Sequence, residues 1–77
     1  MLITVKYFGQ IAEVTHKSEE TLNVEGTKIS DVLKLLNEKY KDLKHKDFQL
    51  AQNQELVTKE TKLTGDELAL LPPFAGG

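Results

Sequence analysis

The sequence predicts an α+β domain in which one helix packs across one face of a mixed sheet. Three observations carry that reading. Only the stretch "TKISDVLKLLNEKY" has clear helical periodicity; runs rich in β-branched and aromatic residues stand on both sides of it; and the element order, β, β, α, β, β, β, contains no repeat. At 77 residues the chain has room for one core, with a net stability of about 4 to 12 kcal/mol. That leaves little material for a deep substrate cleft, so the domain is expected to present a surface.

The first strand is "LITVKYF". Ile3, Val5 and Tyr7 fall on one face and Thr4, Lys6 and Phe8 on the other, which gives the strand a core side. Gly9 ends it, and "QIAEVTHKSEE" reads as a loop with room for one helical turn. Thr21 to Val24 is a second short strand bounded by Gly26. In the helix, Ile29, Val32, Leu33, Leu36 and Tyr40 form one stripe, with Lys34, Asn37, Glu38 and Lys41 opposite. Thr27 and Ser30 are both residue types that cap a helix N-terminus; Asp31 suits its positive end, and Lys39 and Lys41 its negative end. Phe48 to Gln52 forms a third strand, Asn53 a turn, and Leu56-Val57 a short edge strand. Gly65-Asp66 marks the last turn. Glu67 to Leu71 is apolar on both faces, as a central strand should be, and Pro72 and Pro73 end it.

The composition excludes several classes of function. There is no Cys for a disulfide, a thiolate zinc site or redox chemistry. All ten basic residues are Lys, against twelve carboxylates, for a net charge of -2. Without an arginine fork or excess positive charge, no nucleic-acid partner is expected. The start, "MLITVKYFG", lacks the long apolar run of a signal peptide or membrane span, so a soluble, cytoplasmic chain with no membrane partner is expected. His16 and His45 lie far apart in polar stretches and read as solvated residues, so no metal site is expected. Lys39, Lys41, Lys44 and Lys46 read as a solvated helix end, interrupted by Asp42 and Asp47. The alternative reading of that cluster is a docking patch for an acidic partner.

The chain ends "LPPFAGG". The two prolines pre-extend a stem, and two glycines leave an end that stays mobile until something orders it. The domain is therefore expected to span residues 1–71 and the tail 72–77, whose six residues reach at most ~20 Å when extended. No side chain there offers chemistry, so the reacting group can only be the α-carboxyl of Gly77. Such a group titrates at about 3.3 to 3.7 and is a poor electrophile at neutral pH. It needs activation, for example as an acyl adenylate, before sulfur can attack it and leave a thiocarboxylate.

Element order and length are similar to the ubiquitin-like β-grasp fold. "GDELALLPPFAGG" resembles the carboxyl end of the small, sulfur-carrying subunits of molybdopterin synthase, where a Gly-Asp turn leads into a strand and a Pro-Pro stem with a Gly-Gly end. "VKYFGQIAE", "ISDVLKLL" and "LAQNQELV" resemble other parts of the same family, so the likeness spans nearly the whole chain. The resemblance implies that an ATP-dependent enzyme adenylates Gly77 and that sulfur is then installed as a thiocarboxylate. It further implies transfer of that sulfur to cyclic pyranopterin monophosphate within a heterotetramer of two small and two large subunits. The same resemblance implies that the catalytic side chains belong to the large subunit and that this chain binds no cofactor of its own.

Carried over by position, Gly76 and Gly77 are the transfer terminus, and Leu71, Pro72, Pro73, Phe74 and Ala75 the inserted stem. Phe8, Leu56 and Leu71 match apolar positions that dock the large subunit; for Phe8 the alternative is a residue capping the core at the strand end. Ala12 stands where the family often has a basic residue, and Phe74 is bulkier than the usual residue before the small terminal triplet. Competing readings are a sulfur carrier for thiamin thiazole synthesis, a ubiquitin-like protein modifier, and an interaction module whose tail has no chemistry.

Overall fold

Five strands form one sheet in the order β2-β1-β5-β3-β4 in a computed structural model, whose described residues are 1–64 and 67–73; the expected turn at Gly65-Asp66 lies outside them. In chain order the elements are β1 (Leu2–Tyr7), α1 (Gln10–Thr15), β2 (Glu19–Asn23), α2 (Ile29–Lys39), a 3-10 helix (Lys41–His45), β3 (Gln49–Gln52), β4 (Glu55–Val57) and β5 (Glu67–Leu71). β1 and β5 run parallel in the middle of the sheet and every other pairing is antiparallel. This is the ubiquitin-like β-grasp arrangement, a mixed sheet holding one main helix. Because β5 is flanked on both sides, an apolar residue at each of its last four positions finds cover or neighbours.

The period-2 and period-3.6 patterns meet in one core. Ile3, Val5 and Tyr7 of β1, Leu68 and Leu70 of β5, and Leu50 of β3 face Ile29, Val32 and Leu36 of α2. Leu33 and Tyr40 of the expected stripe are half-buried at its margin. Helix α2 is capped by neither Thr27 nor Ser30. Its N-cap is Lys28, in extended conformation, and the Asp31 carboxylate reaches back to accept the N–H groups of Thr27 (2.9 Å) and Lys28 (3.0 Å). Those hydrogen bonds hold the Asp31 carboxyl below its ordinary range. Gly26 leaves the space this requires, since a Cβ there would lie 2.1 Å from the Asp31 carboxyl.

The segment after Gly9 is more ordered than a loop. α1 buries Ile11 and Thr15 one turn apart, and the Thr15 hydroxyl satisfies itself by donating to the Ile11 carbonyl at 3.1 Å. β2 begins at Glu19, earlier than its β-branched residues suggest, because Lys6 pairs with Glu19 and Val5 with Glu20.

Glu20 therefore lies on the helix side of an edge strand, at the rim of the core. Its Oε2 accepts the hydroxyls of Tyr7 and Tyr40, whose rings meet edge to face at 6.3 Å, and its Oε1 accepts from Lys17 and Lys39. Burial pushes the Glu20 carboxyl up, but the hydrogen bonds from Lys39, Tyr40, Tyr7 and Lys17 outweigh it and bring its pKa down to about 2. With a folded value below the unfolded one, Glu20 contributes stability that is complete above an unfolded-state pKa of 4.5 and is lost as pH falls through about 2. The contribution is at most about 3 kcal/mol, lessened by solvent around the two exposed lysines. Glu20→Gln is therefore expected to destabilise the domain by roughly 1 to 3 kcal/mol at neutral pH. Denaturant titrations should show a smaller loss of stability in the variant than in the wild type on going to strong acid. Parallel losses in the two proteins would show that Glu20 carries no acid sensitivity.

Candidate functional site

The face of the sheet turned away from α2 holds the candidate site. Parallel pairing of β1 and β5 puts their carboxyl ends side by side: Tyr7 is opposite Leu70, and the Phe8 N–H donates to the Leu70 carbonyl at 3.1 Å. On the open face one cross-strand row runs Lys6, Ala69, Ala51, Leu56. The next holds Leu71 opposite Gln49, with Phe8 at the end of β1. The two alanines form the floor of a shallow depression walled by Phe8, Leu56 and Leu71, about 340 Å³ in volume. Phe8 is 44 % exposed and Leu56 68 %, values at which a large apolar side chain gains little from the domain's own core. Lys6 and Glu67 border the depression as an ion pair at 3.1 Å, both side chains more than one-third exposed.

The structure thus brings together Phe8, Leu56 and Leu71, which come from three separate strand regions. It puts Pro72 and Pro73 directly after them. Phe74, Ala75, Gly76 and Gly77 lie outside the described residues. Phe8 does not cap the core; it stands on the face opposite Ile3, Val5 and Tyr7.

Two features of the tail's exit escape a reading of the sequence. Gly9 has φ 58° and ψ -133°, a conformation open in practice only to glycine, and a Cβ on it would meet the Pro72 Cγ at 3.0 Å. The Gln49 amide Nε2–H donates to the Pro73 carbonyl at 2.9 Å. In the sequence Gly9 signals only a break after a strand, and Gln49 is one polar residue among many.

His16 and His45 are exposed, His16 as the left-handed residue that ends α1. Among the described residues no three His, Asp or Glu side chains are grouped to hold a metal ion, and no helix is long and apolar enough to cross a membrane. Lys39 of the basic cluster is tied to Glu20, an ion pair that turns it toward its own domain.

A β-grasp sheet with an open apolar face at the point where its last strand releases a Pro-Pro stem makes this a ubiquitin-like domain that presents both together. The chain belongs to the ThiS family, whose profile matches residues 5–77. In three dimensions it is similar to a chain assigned as molybdopterin converting factor subunit 1 from Pyrococcus furiosus (20 % identity, TM-score 0.87, 96 % of this chain and 99 % of that one). It is also similar to the small archaeal modifier protein SAMP1 from Haloferax volcanii (26 % identity, TM-score 0.81, both chains covered in full). A third likeness is to a chain from the complex of subunits 1 and 2 of molybdopterin-converting factor from Helicobacter pylori 26695 (26 % identity, TM-score 0.70, both chains covered in full). The first of these speaks to fold alone. Together they place the chain among β-grasp proteins that include molybdopterin-converting-factor subunits and an archaeal protein modifier.

Proposed function

We propose that this chain is the sulfur-carrying small subunit of molybdopterin synthase, working in the cytoplasm as part of a heterotetramer with two large subunits. The observation that carries the reading is the clustering of Phe8, Leu56 and Leu71 on one open face beside the exit of the tail. A partner seated on that face receives the carboxyl terminus with no further search. The Helicobacter pylori complex of two subunits supports a partner of this kind.

In the proposed cycle the Gly77 carboxylate attacks the α-phosphorus of ATP on an activating enzyme, and pyrophosphate leaves. A sulfur nucleophile then displaces AMP from the acyl adenylate, leaving a thiocarboxylate. Its sulfur attacks a carbon of cyclic pyranopterin monophosphate in the large subunit as a carbon–oxygen bond there breaks, and water then cleaves the resulting thioester, which leaves the sulfur on the pterin and returns the carboxylate. This chain contributes a terminus thin enough to enter another protein's site, Leu71 to Ala75 as the inserted stem, and the docking face. ATP is held by the activating enzyme, and the catalytic side chains by the large subunit.

The likeness to SAMP1 favours one further reading, conjugation of Gly77 to lysines of other proteins. Incubating the chain with cell extract, ATP and activating enzyme separates the two. The carrier reading predicts free protein whose intact mass shows one oxygen replaced by sulfur. Heavier adducts that survive reducing agents would instead establish the modifier.

The docking face is tested by Leu56→Asp. Because the side chain is 68 % exposed, stability should change by less than about 0.5 kcal/mol. Affinity for the large subunit, measured by calorimetry, should fall about tenfold or more, as for a residue at the centre of an interface. Unchanged affinity would place the partner elsewhere.

A further inference from the structure

We infer that Gly9 and Gln49 form a clamp that fixes the direction in which the tail leaves the sheet, and that Gln49 is a positioning residue for the reaction at Gly77. The second part rests on the carrier reading above; the clamp does not. Neither Pro72 nor Pro73 has an N–H, so at these two residues the stem can be tied to the sheet only through its carbonyls or by packing. Both devices are present. On one side the Pro72 ring lies against the bare backbone of Gly9, where a Cβ would come to 3.0 Å and where φ 58° already demands glycine. On the other, Gln49 donates to the Pro73 carbonyl at 2.9 Å.

Register explains why Gln49 can do this. It opens β3 opposite Leu71, the last residue of β5, so an extended amide side chain reaches two residues further along the emerging stem. The side chain is exposed and donates to the Pro73 carbonyl. With the stem held as far as Pro73, only four residues remain beyond the clamp, a reach of at most ~14 Å, and the angle at their base sets where Gly77 arrives. A pre-aimed stem spares the partner the loss of conformational freedom that ordering it would otherwise require.

The test compares Gln49→Glu, which keeps the shape but replaces the donor nitrogen with an acceptor oxygen, with Gln49→Lys, which restores a donor. Two readouts are taken on the full chain: the 15N heteronuclear NOE of Phe74, the first amide after the prolines, and the kinetics of adenylation by the ATP-dependent activating enzyme. Gln49→Glu should lower the NOE and raise KM roughly three- to tenfold with kcat and melting temperature unchanged; Gln49→Lys should recover most of both. An unchanged NOE in Gln49→Glu, or equal losses in the two variants, would overturn the clamp. A lowered NOE with unchanged KM would overturn the positioning role. If the wild-type chain is not adenylated at all, the carrier reading fails, and the NOE comparison alone decides the clamp.

Discussion

Gly76→Val is expected to lower the rate of Gly77 adenylation by about a hundredfold or more, the scale on which misplacing a reacting group acts, while leaving stability unchanged within about 0.5 kcal/mol. The reason is steric. On the carrier reading, a carboxylate at the end of two glycines enters a channel that need be no wider than a peptide backbone, where a β-branched residue one position before it would collide with the walls or hold the carbonyl out of line. The last strand of the sheet ends at Leu71, five residues before this position. Pyrophosphate exchange with activating enzyme and ATP, beside a melting curve, reads both halves of the prediction. Equal exchange rates for the two proteins would refute the narrow-channel argument.

Leu36→Ala carries the largest expected effect on the fold. Leu36 is 0 % exposed and joins the apolar face of α2 to the side chains of β1 and β5. Truncating it removes three buried carbons and leaves a cavity that the surrounding side chains fill only in part, a loss of about 2 to 5 kcal/mol. For a domain of this size, where each kcal/mol lowers the melting temperature by roughly 4 to 8 °C, that is a large share of the total. Glu38→Ala, on the exposed side of the same helix, should cost less than about 0.5 kcal/mol. If Leu36→Ala costs no more than that control, α2 buries a different face.

What the sequence made legible follows from which forces are local. Ile3, Val5 and Tyr7 at period 2, and Ile29, Val32 and Leu36 at helical spacing, declare their buried faces directly, and the unbroken apolar run ending at Leu71 declares a central strand. α1 was harder, because six residues burying only Ile11 and Thr15 make no stripe. Glu20 was invisible as a structural residue: its partners Tyr7, Lys39 and Tyr40 come from β1 and from the end of α2. The polar stretch after Val57 hides a similar long-range tie. The largely buried Gln52 donates to the Lys62 carbonyl and accepts the Thr64 N–H, which holds that loop while Leu63 enters the core.

The site divides in the same way. The expectation for the tail rests on composition alone, since Pro-Pro and Gly-Gly act through properties of single residues, and its last four residues lie outside those described. Phe8 is singled out by its strand face, and Leu56 and Leu71 by the family resemblance, but their meeting on one face depends on the order β1-β5-β3-β4, which no spacing reveals. The contact of Pro72 with Gly9 and the bond from Gln49 to Pro73 depend on the same order.

The central claim is that Gly77 carries sulfur to a pterin. The most direct measurement prepares the chain as its Gly77 thiocarboxylate and offers it separately to the molybdopterin synthase large subunit with cyclic pyranopterin monophosphate, and to thiazole synthase with its substrates. Intact mass then follows the sulfur. The account predicts loss of sulfur to the pterin system with formation of molybdopterin. Retention there would contradict it, and loss only to thiazole synthase would assign the chain to thiamin synthesis.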